Sequence, residues 1–242
     1  MNKWYVETIK DTTDLWKEKW VLNKSQQIAK LHLPKDRETY FDTLKYHVML
    51  SEVYWTLKTI YDENNVASLV LDKPIINHTV YNDSKNNRTI GVGFNMDRKE
   101  AKSEWLNALG SIYKFVPCLN KKETITTAEA IGLFEYSLKI REHEVQKKFS
   151  KIWEKMHLNE QISLISLYYN SPKLLGPKIS NYLYDYVLYN SKNSFAGAID
   201  EIRYHSNPQY DKFNNIVPLS VRIGIQKRMD REAIMMRGQK LD

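Results

Sequence analysis

The sequence predicts an α+β domain that is mainly α, with a small β-hairpin lobe at 64–100, a helical lobe at 101–242 and a helical N-terminal extension at 1–63. Three observations carry this. Apolar residues recur at helical spacing along most of the chain, and capping signatures open several of those runs. One polar turn, Ser84 to Arg88, stands between β-branched and aromatic residues and is followed by Ile90-Gly-Val-Gly93, the pattern of an isolated hairpin.

In chain order, Pro34-Lys-Asp-Arg-Glu38 opens a helix with acidic residues in its first turn. Tyr40, Leu44, Val48, Leu50, Val53, Tyr54, Leu57 and Ile60 continue it at roughly helical spacing until Asp62-Glu-Asn-Asn65. Trp4, Trp16, Trp20 and Trp55 supply packing area in this extension, since an aromatic stripe is core more often than a ligand platform. Val66–Leu71 is a short apolar segment leading through Asp72-Lys-Pro74 into the hairpin. Asp97-Arg-Lys-Glu100 reads as a helix start running through Trp105 and Leu109. Thr126-Thr-Ala-Glu129 is a capping box opening a long helix toward Phe149. Apolar helices follow at Ile162–Tyr169, around 179–188 and 195–204, and a basic one closes the chain at 221–236.

Composition excludes several classes. No run approaches the ~18 apolar residues of a spanning helix, so no membrane span is expected. The N-terminus lacks the apolar core of a secretory signal, so delivery by lysis, injection or another non-Sec route is expected. A single cysteine, Cys118, rules out an internal disulfide and reads as a small buried side chain. The histidines show no metal-ligand spacing, so neither metal nor cofactor is expected; they read as surface residues, with only His78 a candidate to face a cleft. Residues 1–63 carry ten Lys/Arg and ten Asp/Glu, so the whole +7 surplus lies in 64–242. That surplus fits an anionic partner such as a bacterial wall, and equally a solvated Lys-rich surface.

The hairpin has chemical content. Asp83 enters the turn and Thr89 leaves it, a carboxylate and a hydroxyl spaced to share one water molecule. Alone, Asp83 reads as an Asx-turn residue and Thr89 as a strand former. The run Tyr81-x-Asp83 with Thr89-Ile-Gly-Val-Gly93 resembles the active-site hairpin of the phage-type lysozymes, glycoside hydrolase family 24, and of pesticin-like bacteriocins. Ile125-Thr-x-x-Glu-Ala130, Leu164-Ile-Ser-Leu-Tyr-Tyr-Asn170 and Gly224-Ile-x-x-Arg-x-x-x-Glu-Ala233 are similar to further family landmarks, in order, over about 64–239.

The resemblance implies a muramidase cleaving the β-1,4 bond between N-acetylmuramic acid and N-acetylglucosamine. It implies that Asp83 and Thr89 hold the attacking water, with Gly91, Gly93 and Asn170 toward substrate. The family's acid is a glutamate about nine residues before the aspartate. Here Lys73 and Pro74 occupy that interval, so Asp72, at the expected helix-to-hairpin corner, is the substitute acid. Phe94 stands where many members carry histidine, a change that concerns hairpin anchoring. The alternative is a degenerate lysozyme-fold module that binds wall glycan or a phage or secretion-apparatus protein, the latter through residues 1–63. A nucleic-acid binder has no supporting signature.

Overall fold

The structure, a computed structural model, describes residues 37–61, 67–83, 86–204 and 219–237; the side chains at 37–39, 46, 50, 54–74, 204 and 219–227 lie outside that description. The expected helices and tryptophans of residues 1–36 therefore lie outside the described residues. What is described is mainly helical with small antiparallel sheets, as expected.

Helix α1 (Arg37–Glu52) buries Tyr40, Leu44, His47 and Val48 along one face, the i, i+4, i+7, i+8 stripe of an amphipathic helix. It packs on the later helix α5 (Leu158–Asn170), and its apolar residues share one buried cluster with Leu133, Ile165 and Met235. The helix assigned to an extension is thus part of the domain core.

The sequence pattern carries α1 on to Ile60, but the helix stops at Glu52 and Tyr54–Tyr61 forms strand β1. Tyr-Trp-Thr-Leu-Lys-Thr-Ile-Tyr is rich in aromatic and β-branched residues, and its apolar positions suit a period of two as well as 3.6. β1 pairs antiparallel with β2 (Ala67–Ile75) in the register Leu57↔Leu71 and Thr59↔Leu69. The segment expected as a helix entering the hairpin is therefore a strand, and the hairpin expected to stand alone has a second one before it.

β3 (Asn77–Asn82), β4 (Arg88–Gly91) and β5 (Phe94–Asn95) form the second sheet, with Tyr81↔Thr89 and Ile90↔Phe94 opposed. Phe94, buried, meets Trp105 edge to face with centroids 6.0 Å apart and anchors the sheet on α2 (Ala101–Leu109). Asp97 does not cap α2, which starts after Glu100. It is drawn instead to Arg88, accepting from the backbone N–H at 2.8 Å and from Nε at 2.7 Å.

After the short α3 (Phe115–Leu119), which buries Cys118, α4 (Thr127–Lys148) opens on the expected box. The Glu129 N–H donates to Thr126 Oγ1 at 3.1 Å, and the Thr126 N–H donates to Glu129 Oε2 at 2.7 Å. α5 is the central helix, buried from Asn159 through Leu167. Its buried amides tie it to its neighbours through their nitrogens: Asn159 donates to the carbonyls of Met235 and Met236, and Gln161 to that of Trp153. α6 (Pro177–Tyr189), α7 (Lys192–Tyr204) and α8 (Leu219–Arg237) complete the fold, with α8 packed on α5 and α7. No helix among the described residues is long and apolar enough to cross a membrane.

Candidate active site

A cleft of about 1590 Å³ opens between the C-terminal end of α1, the β3–β5 sheet, α2, α4, the C-terminal end of α5 and the middle of α8. It exceeds the ~300–1,000 Å³ usual for a small-molecule pocket and suits a length of polymer. Of the residues singled out in the sequence, Asp83, Thr89, Gly93 and Asn170 line it.

Asp83 sits where β3 enters the turn. Its two carboxylate oxygens accept from the Asn87 N–H at 2.8 Å and from Asn87 Nδ2 at 3.0 Å. The Thr89 hydroxyl donates to the Asn87 carbonyl at 3.2 Å. Asn87 thus binds both members of the pair and fixes their relation, a role no spacing argument assigned to it. These bonds span the turn from Asp83 to Asn87, four residues on, and orient the carboxylate in the cleft wall.

The two glycines of Gly-Val-Gly have different tasks. Gly91, at φ +62°, turns its α-carbon to the core: a Cβ there would lie 3.2 Å from Ala130 Cβ and 3.3 Å from Ile125 Cδ1. It lines no part of the cleft, so its expected place toward substrate becomes a packing role. Gly93, at φ +71°, lies under a carboxylate, and a Cβ there would come within 2.5 Å of Glu52 Oε2. His78 is likewise an anchor, with Nδ1 2.7 Å from the Ile125 carbonyl oxygen.

Glu52 is the residue that sequence reasoning did not select. It is the last residue of α1 and lines the cleft with Asp83 and Thr89. Arg228 of α8 approaches it with Nη2 2.5 Å from Oε1, an ion pair by distance whose alignment falls short of a hydrogen bond. Asp72, expected as the acid, lies on strand β2 rather than at the end of a helix, and its side chain is outside the described residues.

The rest of the cleft is polar and close to charge-balanced. Arg98, Arg141, Lys173, Arg228 and Arg231 face Glu52, Asp83, Glu100, Glu104 and Glu144, five of each sign among the described residues. The basic surplus of the chain is therefore not concentrated there. Burial pushes the Glu104 carboxyl up to about 7, while Arg98 and Arg141, at 2.8 and 2.9 Å, favour its ionised form. Burial also pushes the Arg231 guanidinium down to about 10. The Tyr169 hydroxyl, pushed well up by burial, donates to the Val92 carbonyl at 2.8 Å and so ties α5 to the glycine turn. Tyr81, Tyr136, Tyr168 and several asparagines add ring faces and amides along the walls.

No group of three or more His, Cys, Asp or Glu side chains set for a metal ion occurs among the described residues. His47, expected at the surface, is buried against Glu232. Comparison with protein-family models gives no match, and no curated protein matches the chain.

Proposed function

We propose that the protein is a peptidoglycan hydrolase of the phage-type lysozyme kind, in which Glu52 is the general acid and Asp83 with Thr89 holds the water. The observation that carries this is the position of Glu52: at the end of a helix, over the second glycine of Gly-Val-Gly, beside Arg228 and in one cleft with Asp83 and Thr89. Glycoside hydrolysis needs a carboxylic acid and a carboxylate base in one site. In a single displacement, the Glu52 proton passes to the glycosidic oxygen as the C1–O bond breaks. Asp83 takes a proton from the water whose oxygen bonds to C1.

The cleft's character supports a neutral, hydroxyl- and amide-rich polymer. Asparagine and tyrosine side chains offer hydrogen bonds and stacking faces, and the balanced charge selects against a polyanion as the bound segment. The basic surplus elsewhere serves attraction to an anionic wall. With Glu52 as a candidate acid in the cleft, the degenerate binding module loses one of the two observations that motivated it, and the charge-neutral segment 1–63 remains.

The test is release of muropeptides from purified sacculi by wild type, Glu52→Gln, Asp83→Asn and Asp72→Asn. General acid–base groups contribute about 10²–10⁴-fold, so the first two variants lose at least about 100-fold while the third stays near wild type. Full activity in Glu52→Gln would overturn the assignment, and loss in Asp72→Asn would return the acid to the β1–β2 hairpin.

A further inference from the structure

The outer side of α2 and of the segment after it carries an apolar surface that the proposed hydrolysis does not use. Among the described residues seven large apolar side chains are well exposed, and four of them fall within 106–116. Tyr113 is 87% exposed, Val116 48%, Leu106 45% and Ile112 37%. The local structure sets them together. On α2, Lys102 and Leu106 share one stripe, next to the Ser103 and Asn107 stripe that lines the cleft. Gly110, left-handed at φ +69°, ends the helix with its N–H on the Leu106 carbonyl at 2.8 Å. The turn into α3 is closed by the Phe115 N–H on the Ile112 carbonyl at 3.0 Å. α3 then buries Phe115 and Cys118 and leaves Ile112, Tyr113 and Val116 outside. None of the four apolar residues lines the cleft, so the patch runs along its rim without filling it.

The charges beside this patch are unequal. Lys99 and Lys102 precede it, and Lys121 and Lys122 are held against the end of α3 by backbone bonds to the Cys118 and Pro117 carbonyls, both at 2.9 Å. All four lysines are exposed, and none forms an ion pair with a described residue. Glu100 and Glu123 are the exposed carboxylates of the segment, while Glu104 is buried against Arg98 and Arg141, and Lys114 is paired with Glu129. An apolar centre with a basic rim selects its occupant. A second copy laid face to face would set lysine against lysine. A hydrated wall polymer offers the apolar centre nothing to enter. An anionic bilayer meets both demands: its headgroups take the ammonium groups, and its headgroup–acyl boundary takes the aliphatic side chains and the Tyr113 ring. We propose that residues 102–122 form a docking face for an anionic phospholipid surface, beside the cleft. The face stands apart from the assignment of Glu52 and Asp83.

The test is co-sedimentation of the full chain with vesicles of phosphatidylcholine, alone or with about one third phosphatidylglycerol, in about 0.1 M salt. Binding to the mixed vesicles only is expected. Each lysine near an anionic surface strengthens binding about fivefold, so Lys102→Gln, Lys121→Gln and Lys122→Gln together weaken it about 100-fold. Tyr113→Ser with Val116→Ser, both at exposed positions, weakens it about tenfold or more. A control triple of equal charge, Lys147→Gln, Lys148→Gln and Lys151→Gln at the exposed end of α4, binds within a few-fold of wild type. Equal loss in the two triples would mean general attraction of a basic protein and overturn the face. Wild-type binding by Tyr113→Ser with Val116→Ser, or no binding by wild type, would overturn it as well. A dimer in sedimentation velocity that the same pair abolishes would give the face to a second copy instead. Muropeptide release from lipid-free sacculi keeps the two readings apart. Vesicle binding without release would leave the face standing and remove the hydrolase, and release without vesicle binding would do the reverse.

Discussion

Alanine placed at Gly93 and at Gly91 separates chemistry from packing within three residues of chain. Both sites have positive φ, +71° and +62°, so either alanine bears the left-handed strain of about 1–2 kcal/mol. The new methyl then meets different things. At position 91 it presses on Ala130 Cβ at 3.2 Å and Ile125 Cδ1 at 3.3 Å, contacts only a few tenths of an ångström too tight. At position 93 it meets Glu52 Oε2 at 2.5 Å. A relaxed contact is roughly 3.4 Å, so the carboxylate must retreat by about 0.9 Å.

Displacing a reacting group by about 1 Å costs on the order of 100-fold in rate. Gly93→Ala is therefore expected to fold, with about 1–2 kcal/mol less stability, and to lose about two orders of magnitude in muropeptide release. Gly91→Ala is expected to lose similar or greater stability with activity per folded molecule near wild type. Urea denaturation and the sacculus assay, run on both, give the comparison. Wild-type rates in a folded Gly93→Ala would refute the placement of Glu52 as the reacting acid.

Four further outcomes are expected. Leu44→Ala, in a fully buried site of α1, costs about 2–5 kcal/mol by urea denaturation, whereas a dispensable extension would lose almost nothing. Thr126→Ala removes the capping box of α4 and costs about 1 kcal/mol by the same measurement. Asn87→Ala removes the Nδ2 bond to Asp83 Oδ2 while the backbone bonds to Asp83 and Thr89 persist, so it loosens one carboxylate oxygen and lowers the hydrolysis rate by about tenfold or less, read beside an unchanged far-ultraviolet circular dichroism spectrum. The depressed Glu232 carboxyl contributes stability above about pH 4.5 that is lost as the pH falls through its folded midpoint, so wild type loses stability on acidification more steeply than Glu232→Gln.

Much of this was legible in the residues because local signals and tertiary packing agreed there. The Thr126 box, the helices of the second half and the Asp83–Thr89 hairpin each announce themselves through side chains acting on their own backbone. The proposed acid was not legible, and the reason is a matter of chain distance. Glu52 precedes Asp83 by 31 residues, because the β1–β2 hairpin lies between them. Counting back nine residues lands inside that hairpin. The apolar run from Val53 to Ile60 disguised the break further, since its spacing suits a helix as well as a strand.

One signal in the sequence pointed across the gap. Gly93 is followed by Phe94, which is buried against Trp105, so the turn is anchored without a histidine and the second glycine is free of any anchoring duty. A glycine held at positive φ in a turn that already has its anchor implies something large packed against its α-carbon. Midway along α8, Arg228 pairs with Glu52 and Arg231 lines the same cleft, and guanidiniums so placed call for carboxylates from outside their own helix. A helix ending in glutamate meets both demands at once, and Glu52 is the residue at the end of the only described helix before the hairpins. The site is thus over-determined by packing and charge even where spacing in the chain is silent. On the proposed reading, the β1–β2 hairpin between Glu52 and Asp83 leaves both carboxylates in one cleft so long as α1 stays docked on α5.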